Sequence, residues 1–242
     1  MMRNELCVTG KKLITRNAVR STNLKLGILG GTFNPIHYGH LRAAEEVRDI
    51  LGLDRILFIP SGKPPLKKTG LTSARYRYEM TKTAIKNNPF FGISDIEIKA
   101  HTVSYSIETF KKLAVKYKNA DFFFILGIDA FLDLPKWKQP HSLMKLTNLV
   151  IISRPGFSFI NLLPSPYLKN VHKKTLEEID KGAKTTFSFD LNTGRKAYLC
   201  RIPALEISAS IIRSLVSKGR NIKYLLPDSV ESYIISHKLY KK

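Results

Sequence analysis

The chain is poor in cysteine: Cys7 and Cys200 are the only two in 242 residues, and they form no CxxC pair or other ligand spacing. That argues against a disulfide framework and a structural zinc site, and it suits a reducing compartment. There is one tryptophan, Trp137. No apolar run approaches the roughly 18 residues needed to span a bilayer. The pattern GxxxxGK[ST] is missing, which disfavours an ordinary P-loop ATPase, and no internal repeat or low-complexity stretch stands out. Acidic residues are scarce, 19 against 40 Lys+Arg, for a formal net charge of +21. Such an excess fits nucleic acid, an anionic membrane or small polyanions such as nucleotides, although a solvated lysine surface accounts for most of it.

The rest of the composition is ordinary for a globular protein, with 43% hydrophobic and 24% charged residues. The length suits one α/β domain with room for a small appendage. Residues 1–23 carry Arg3, Lys11, Lys12, Arg16 and Arg20 against Glu5 alone and have no apolar core of a secretory signal. They read as a basic N-terminal extension, disordered or loosely docked, ahead of a single domain over 24–242. A cytoplasmic location is expected.

The stretch from Gly30 to His40, GGTFNPIHYGH, is the most informative in the chain. An apolar run, Leu24 to Leu29, leads into it and an amphipathic segment, Leu41 to Leu51, leaves it, so it reads as strand, glycine turn and helix start. Adjacent glycines let backbone approach a bulky anion, and the free N–H groups of the helix start point at it. His37 and His40 flank Gly39, placed so that both imidazoles can face that anion.

Arg55 to Pro60 reads as a second strand, which makes a right-handed parallel βαβ unit and puts the lysine-rich loop 61–68 on the ligand side. A helix is expected from Ser73 to about Asn87, then a strand from Phe91 to Ile98 with Asp95 and Glu97 on its solvent face. Ser104 to Thr109 opens a third helix, where hydroxyl groups cap first and can also touch a ligand. Asp121 to Asp129 is the most apolar strand and is expected at the centre of the sheet. In a doubly wound sheet the crevice lies where strand order reverses. Gly30 to His40 then forms one wall and Gly127 to Asp129 the other. Asp129 reads either as a group facing ribose or a hydrated Mg²⁺, or as an N-cap. Asn148 to Ser153 gives a further strand, followed by Arg154, whose guanidinium can grip phosphate or carboxylate. Residues 157–195 read as an excursion with one short helix near 174–179, and Ala197 to Ile202 as the last strand. Ser208 and Ser210 open another helix, with Arg213 one turn in.

These motifs resemble those of the bacterial nicotinate-nucleotide adenylyltransferases of the HxGH nucleotidyltransferase superfamily. The resemblance runs from about Leu24 to Tyr240. The eleven-residue string carries HxGH, Ile207 to Arg213 is similar to ISxTxIR with Ser210 at the threonine position, and Gly127-Ile128-Asp129 and Arg154-Pro155-Gly156 match GxD and RPG. Lys67 matches the lysine of PPHK, with Leu66 in place of its histidine, and Arg77 and Met80 match RxxM. Asn34 stands where many relatives have aspartate, and an amide there can still hold a hydrated metal.

The resemblance implies an α/β, Rossmann-like doubly wound parallel sheet with a small C-terminal helical segment. It implies transfer of the adenylyl group of ATP to nicotinate mononucleotide, with Mg²⁺ accompanying ATP and no metal held by protein ligands. His37, His40 and Arg213 are the implied catalytic residues. Gly30, Gly31, Thr32, Phe33, Ser208, Ser210 and Lys67 are implied to face ATP and its phosphates. Tyr105, Ser106, Gly127, Asp129, Trp137 and Arg154 are implied to line the mononucleotide site, with Trp137 packed on the ring. Helix surfaces commonly carry arginine, so Arg77 reads as structural or peripheral. Nicotinamide mononucleotide or another phosphorylated acceptor is the alternative within the superfamily. A non-catalytic nucleic-acid-binding protein is the rival from another class, with nucleic acid otherwise bound at most nonspecifically. A homo-oligomer is left open.

Overall fold

Strands buried on both faces read as continuous apolar runs, and Phe122 to Leu126 is such a run with every residue buried. It forms the core of β4 (Ala120–Gly127), which pairs in parallel with β1 (Leu24–Gly31) at the middle of a seven-stranded sheet. The computed structural model describes residues 23–65, 70–100, 102–168 and 171–241. Nearly all of the basic segment and Lys67 thus lie outside the described residues. The other strands are β2 (Arg55–Pro60), β3 (Phe91–Ile93), β5 (Asn148–Ile152), β6 (Thr186–Asp190) and β7 (Lys196–Cys200), in the order β3-β2-β1-β4-β5-β7-β6. All neighbours are parallel except β6 and β7.

The two-residue period of β4 divides the core. Phe122, Phe124 and Leu126 face one layer with α3 (Ser106–Lys116), α4 (Ile128–Leu132), α5 (Pro140–Leu146) and α6 (Lys173–Asp180). Phe123 and Ile125 face the other, with α1 (Tyr38–Leu51), α2 (Ala74–Ile85), α7 (Ala209–Ser217) and α8 (Asp228–Ser236). Strand order reverses between β1 and β4, so the loops at their C-terminal ends border one crevice. The Rossmann-like sheet and the C-terminal helical segment agree with expectation.

Three readings are corrected. The strand expected from Phe91 to Ile98 ends at Ile93, and a turn follows. Glu97 therefore does not lie on a solvent face; it is half-buried and accepts a 2.7 Å hydrogen bond from the Thr109 hydroxyl. The 157–195 excursion holds α6 as expected but also β6, an antiparallel edge strand.

Candidate active site

The β1–α1 turn is shaped by its own side chains. Phe33 has a φ of 46°, unusual for a residue with a Cβ, and its ring is buried edge-on to His40 with centroids 5.1 Å apart. A Cβ on Gly31 would stand 2.9 Å from that ring, so only glycine fits there without displacement. The Asn34–Pro35 peptide is cis. The chain then enters α1 with His37 as its N-cap. The rings of His37 and His40 lie close together and tilted, centroids 3.8 Å apart and planes inclined by 35°. His40 Nδ1 accepts a 3.3 Å hydrogen bond from the His37 backbone N–H, which fixes the His40 ring. A Cβ on Gly39 would stand 3.0 Å from His37 Nδ1 and 3.5 Å from the Ile207 carbonyl. The missing side chain thus lets ring and neighbouring loop close on the helix start. His37 is 6% exposed, and its Nδ1 has no hydrogen-bond partner among the described residues. Burial, and secondarily the positive charge of Arg154, holds its pKa down to about 4, so the ring is neutral at pH 7.

Ser208 caps α7 by accepting a 3.2 Å bond from the Ile211 N–H. Ser210 sits in the first turn, where its hydroxyl accepts from Arg213 Nη2 at 3.2 Å. Arg213 Nη1 donates to the Asn34 carbonyl at 2.8 Å, which brings the second motif onto the first across 179 residues. Asn34 itself is buried at 4% exposure. Its Nδ2 donates to the Gly70 carbonyl, and its Oδ1 accepts from the Thr72 N–H at 3.4 Å and the Tyr240 hydroxyl at 2.9 Å. The reading of Asn34 as a holder of hydrated metal is corrected, because its amide is engaged at both ends. An aspartate could not donate to Gly70.

Across the crevice, Gly127 ends β4 and Asp129 lies in the first turn of α4. Asp129 is not an N-cap: no side chain caps α4, and its carboxylate pairs with Arg154 Nη1 at 2.9 and 3.2 Å. A Cβ on Gly127 would stand 2.4 Å from Asp129 Oδ1 and 2.5 Å from Arg154 Cδ, so the glycine leaves the room that this pair occupies.

The expected mononucleotide residues fall on an adjoining strip. Phe124 links the strip to the turn: its ring is 3.8 Å from where a Gly30 Cβ would be, and Trp137 packs beside it with centroids 6.1 Å apart. Trp137 is half-buried at the end of the Leu134–Lys136 helical turn. Tyr105 is the N-cap position of α3, without a side-chain cap, and Ser106 is the first residue of that helix. The capping expected of this segment is not made by a side chain; the Ser104 hydroxyl instead ties down the loop after β2, accepting from the N–H groups of Gly62 and Lys63, 3.1 and 3.2 Å away. Lys138 Nζ stands 4.9 Å from the Tyr105 ring centroid and is paired with Glu108 at 3.2 Å. Thr32 and the 61–63 loop are tied from beneath by Arg77, 1% exposed, which donates to the carbonyls of Thr32, Gly62 and Thr72. Sequence reasoning missed Glu97 and Tyr240. Neither carries a local signal, since an acid outside a helix reads as solvated and a tyrosine near a helix end as packing.

A strand-order reversal lined by a glycine turn, two closely packed imidazoles and a helix-borne arginine is the arrangement of a nucleotidyltransferase, and the chain belongs to the cytidylyltransferase-like family, which it matches over residues 28–215. Among its relatives is a probable nicotinate-nucleotide adenylyltransferase of Geotalea daltonii, 44% identical over 90% of this chain and 98% of that one. Another of that name, from a Thermoanaerobacter species, is 42% identical over 90% and 95%. Within the broader family, then, the chain belongs with the nicotinate-nucleotide adenylyltransferases. The fold agrees with that of the Plasmodium falciparum nicotinic acid mononucleotide adenylyltransferase solved with NaAD, at a TM-score of 0.66 and 22% identity, over 89% of this chain and 97% of that one.

Proposed function

We propose that the chain transfers the adenylyl group of Mg-ATP to nicotinate mononucleotide, giving nicotinate adenine dinucleotide and pyrophosphate for NAD biosynthesis. The observation that carries this reading is the closely packed His37–His40 pair at a helix start, with Arg213 fastened to the same turn through Asn34. The relatives' names favour the same acceptor.

A phosphate oxygen of the mononucleotide attacks the α-phosphorus in line. The bond from that phosphorus to the bridging oxygen breaks, and pyrophosphate leaves with the electron pair. Such transfers ask for alignment and charge stabilisation rather than a covalent intermediate. His37 enters neutral, because burial and the charge of Arg154 hold its pKa down, and so meets the phosphates as a hydrogen-bonding group rather than as a cation. His40, oriented by the His37 N–H, faces the charge that builds on the α-phosphate oxygens. Gly30 to Phe33 and the α7 start, with Ser208 and Ser210, supply backbone N–H groups toward the triphosphate. Arg213 answers the charge on departing pyrophosphate. Tyr105, Ser106 and Trp137 line the acceptor side, with Gly127, Asp129 and Arg154 at the boundary between the two substrates.

Among the described residues no group of three or more His, Cys, Asp or Glu could hold a metal. Asn34 is engaged internally and Asp129 is paired, so Mg²⁺ fits as part of the nucleotide, held by phosphates and water. Among the described residues no helix is long and apolar enough to cross a membrane, and a cytoplasmic location suits two small soluble substrates. For His40→Ala we expect kcat at least about a hundredfold lower in a protein that still folds, as for loss of a transition-state contact. Unchanged turnover would overturn the mechanism.

A further inference from the structure

Asn34 is the node that joins the first motif to Arg213, and one of its bonds comes from 206 residues away. The Tyr240 hydroxyl donates to Asn34 Oδ1 at 2.9 Å. The same oxygen takes the Thr72 N–H, while the Asn34 carbonyl takes Arg213 Nη1. The delivery of this phenol is built into the backbone. After α8 the chain turns through Lys238 at φ 51° and Tyr240 at φ 61°, with the Leu239 N–H bonded to the Ile234 carbonyl and its side chain buried. Two non-glycine residues in the left-handed region within three positions are unfavourable, and such strain persists where surrounding structure holds it. The hydroxyl stays a donor at every working pH, since burial pushes its pKa up to about 12.

We propose that Tyr240 is a positioning residue for adenylyl transfer, holding Asn34 so that its carbonyl aims the Arg213 guanidinium at the leaving pyrophosphate. The proposal rests on the reading of Arg213 given above. Arg213 is hydrogen-bonded to two anchors, the Asn34 carbonyl and the Ser210 hydroxyl. The hydroxyl rotates freely, whereas the Asn34 backbone carbonyl stays in place as long as its residue does, and the side-chain bonds to Gly70, Thr72 and Tyr240 tie that residue down. Losing the phenolic hydroxyl leaves one of those three bonds of a buried amide unmade, so this backbone segment is held less firmly and the guanidinium anchored to it shifts with it. A misplacement of that kind lowers the rate of the chemical step rather than binding of the acceptor.

The test is a double-mutant cycle on the full chain with Tyr240→Phe, which removes only the hydroxyl, and Arg213→Ala. Tyr240→Phe is expected to lower kcat about three- to tenfold while leaving KM for nicotinate mononucleotide unchanged. In the Arg213→Ala background the same change is expected to have no further effect on kcat. A lowered thermal midpoint with unchanged kcat would assign Tyr240 to stability alone and overturn the proposal. So would a kcat loss that persists undiminished without Arg213. Wild-type kcat in Arg213→Ala by itself would instead overturn the role of Arg213, a failure readable apart from the other two.

Discussion

At the scale of the residue, the site is governed by what His37 is denied. Its ring is packed beneath its neighbour at the helix start and cannot easily take a proton, so its pKa falls to about 4 from an ordinary 6.5. A histidine lowered in the folded state favours unfolding as it protonates. Between pH 6.5 and 4 the unfolded chain binds the extra proton, so stability from this group is present above 6.5 and is lost as pH falls toward 4. The wild type is expected to lose about 2 kcal/mol more than His37→Gln between pH 7 and 4.5, measured by denaturant unfolding at both pH values. Equal losses would show that the ring is not held neutral. Gly39→Ala tests the packing itself, because its Cβ would meet the His37 ring at 3.0 Å. We expect kcat at least about tenfold lower in a folded protein, since small displacements of reacting groups are costly; a wild-type kcat would contradict the contact. Both histidines and Gly39 were legible because their chemistry lies within four consecutive residues. Asn34, Glu97 and Tyr240 were not. The roles of Asn34 and Tyr240 rest on partners 36 to 206 positions away, and Glu97 bonds to Thr109 from the next helix.

At the scale of the element, α2 does more than cover the sheet. It carries Arg77 beneath the crevice, where one guanidinium serves three carbonyls from three segments. Arg77→Ala would strand those buried acceptors, each worth roughly 1–3 kcal/mol. An unfolding free energy at least about 3 kcal/mol lower is expected, and a loss under about 1 kcal/mol would contradict the structural role. The sequence reading of Arg77 as structural or peripheral rested on how commonly helix surfaces carry arginine, and the depth of its burial excludes the peripheral alternative. Long periodic elements were read well: β1, α1, β2, β4 and α7 fall close to their expected bounds. The element missed, β6, has a period-two pattern in Thr-Phe-Ser-Phe-Asp followed by Leu191 to Gly194, a hairpin signal drowned by the prolines and mixed charge before it. The strand at Phe91 was overextended because alternation continues past Ile93, while its partner β2 ends the pairing at Phe58.

At the scale of the whole molecule, the fold brings together motifs from opposite ends of the chain. Phe33 to His40 and Ile207 to Arg213 meet at the C-terminal side of a sheet whose order reverses between β1 and β4. The net charge of +21 suits two anionic substrates, raising their local concentration without choosing between them. In the proposed reading, choice of acceptor falls to the strip of Tyr105, Ser106 and Trp137, where a ring carboxylate and a ring amide would differ by one charge. The most direct measurement is pyrophosphate release from Mg-ATP with nicotinate mononucleotide and nicotinamide mononucleotide run in parallel. Higher kcat/KM with the acid is predicted. Preference for the amide, or no release with either, would contradict the account.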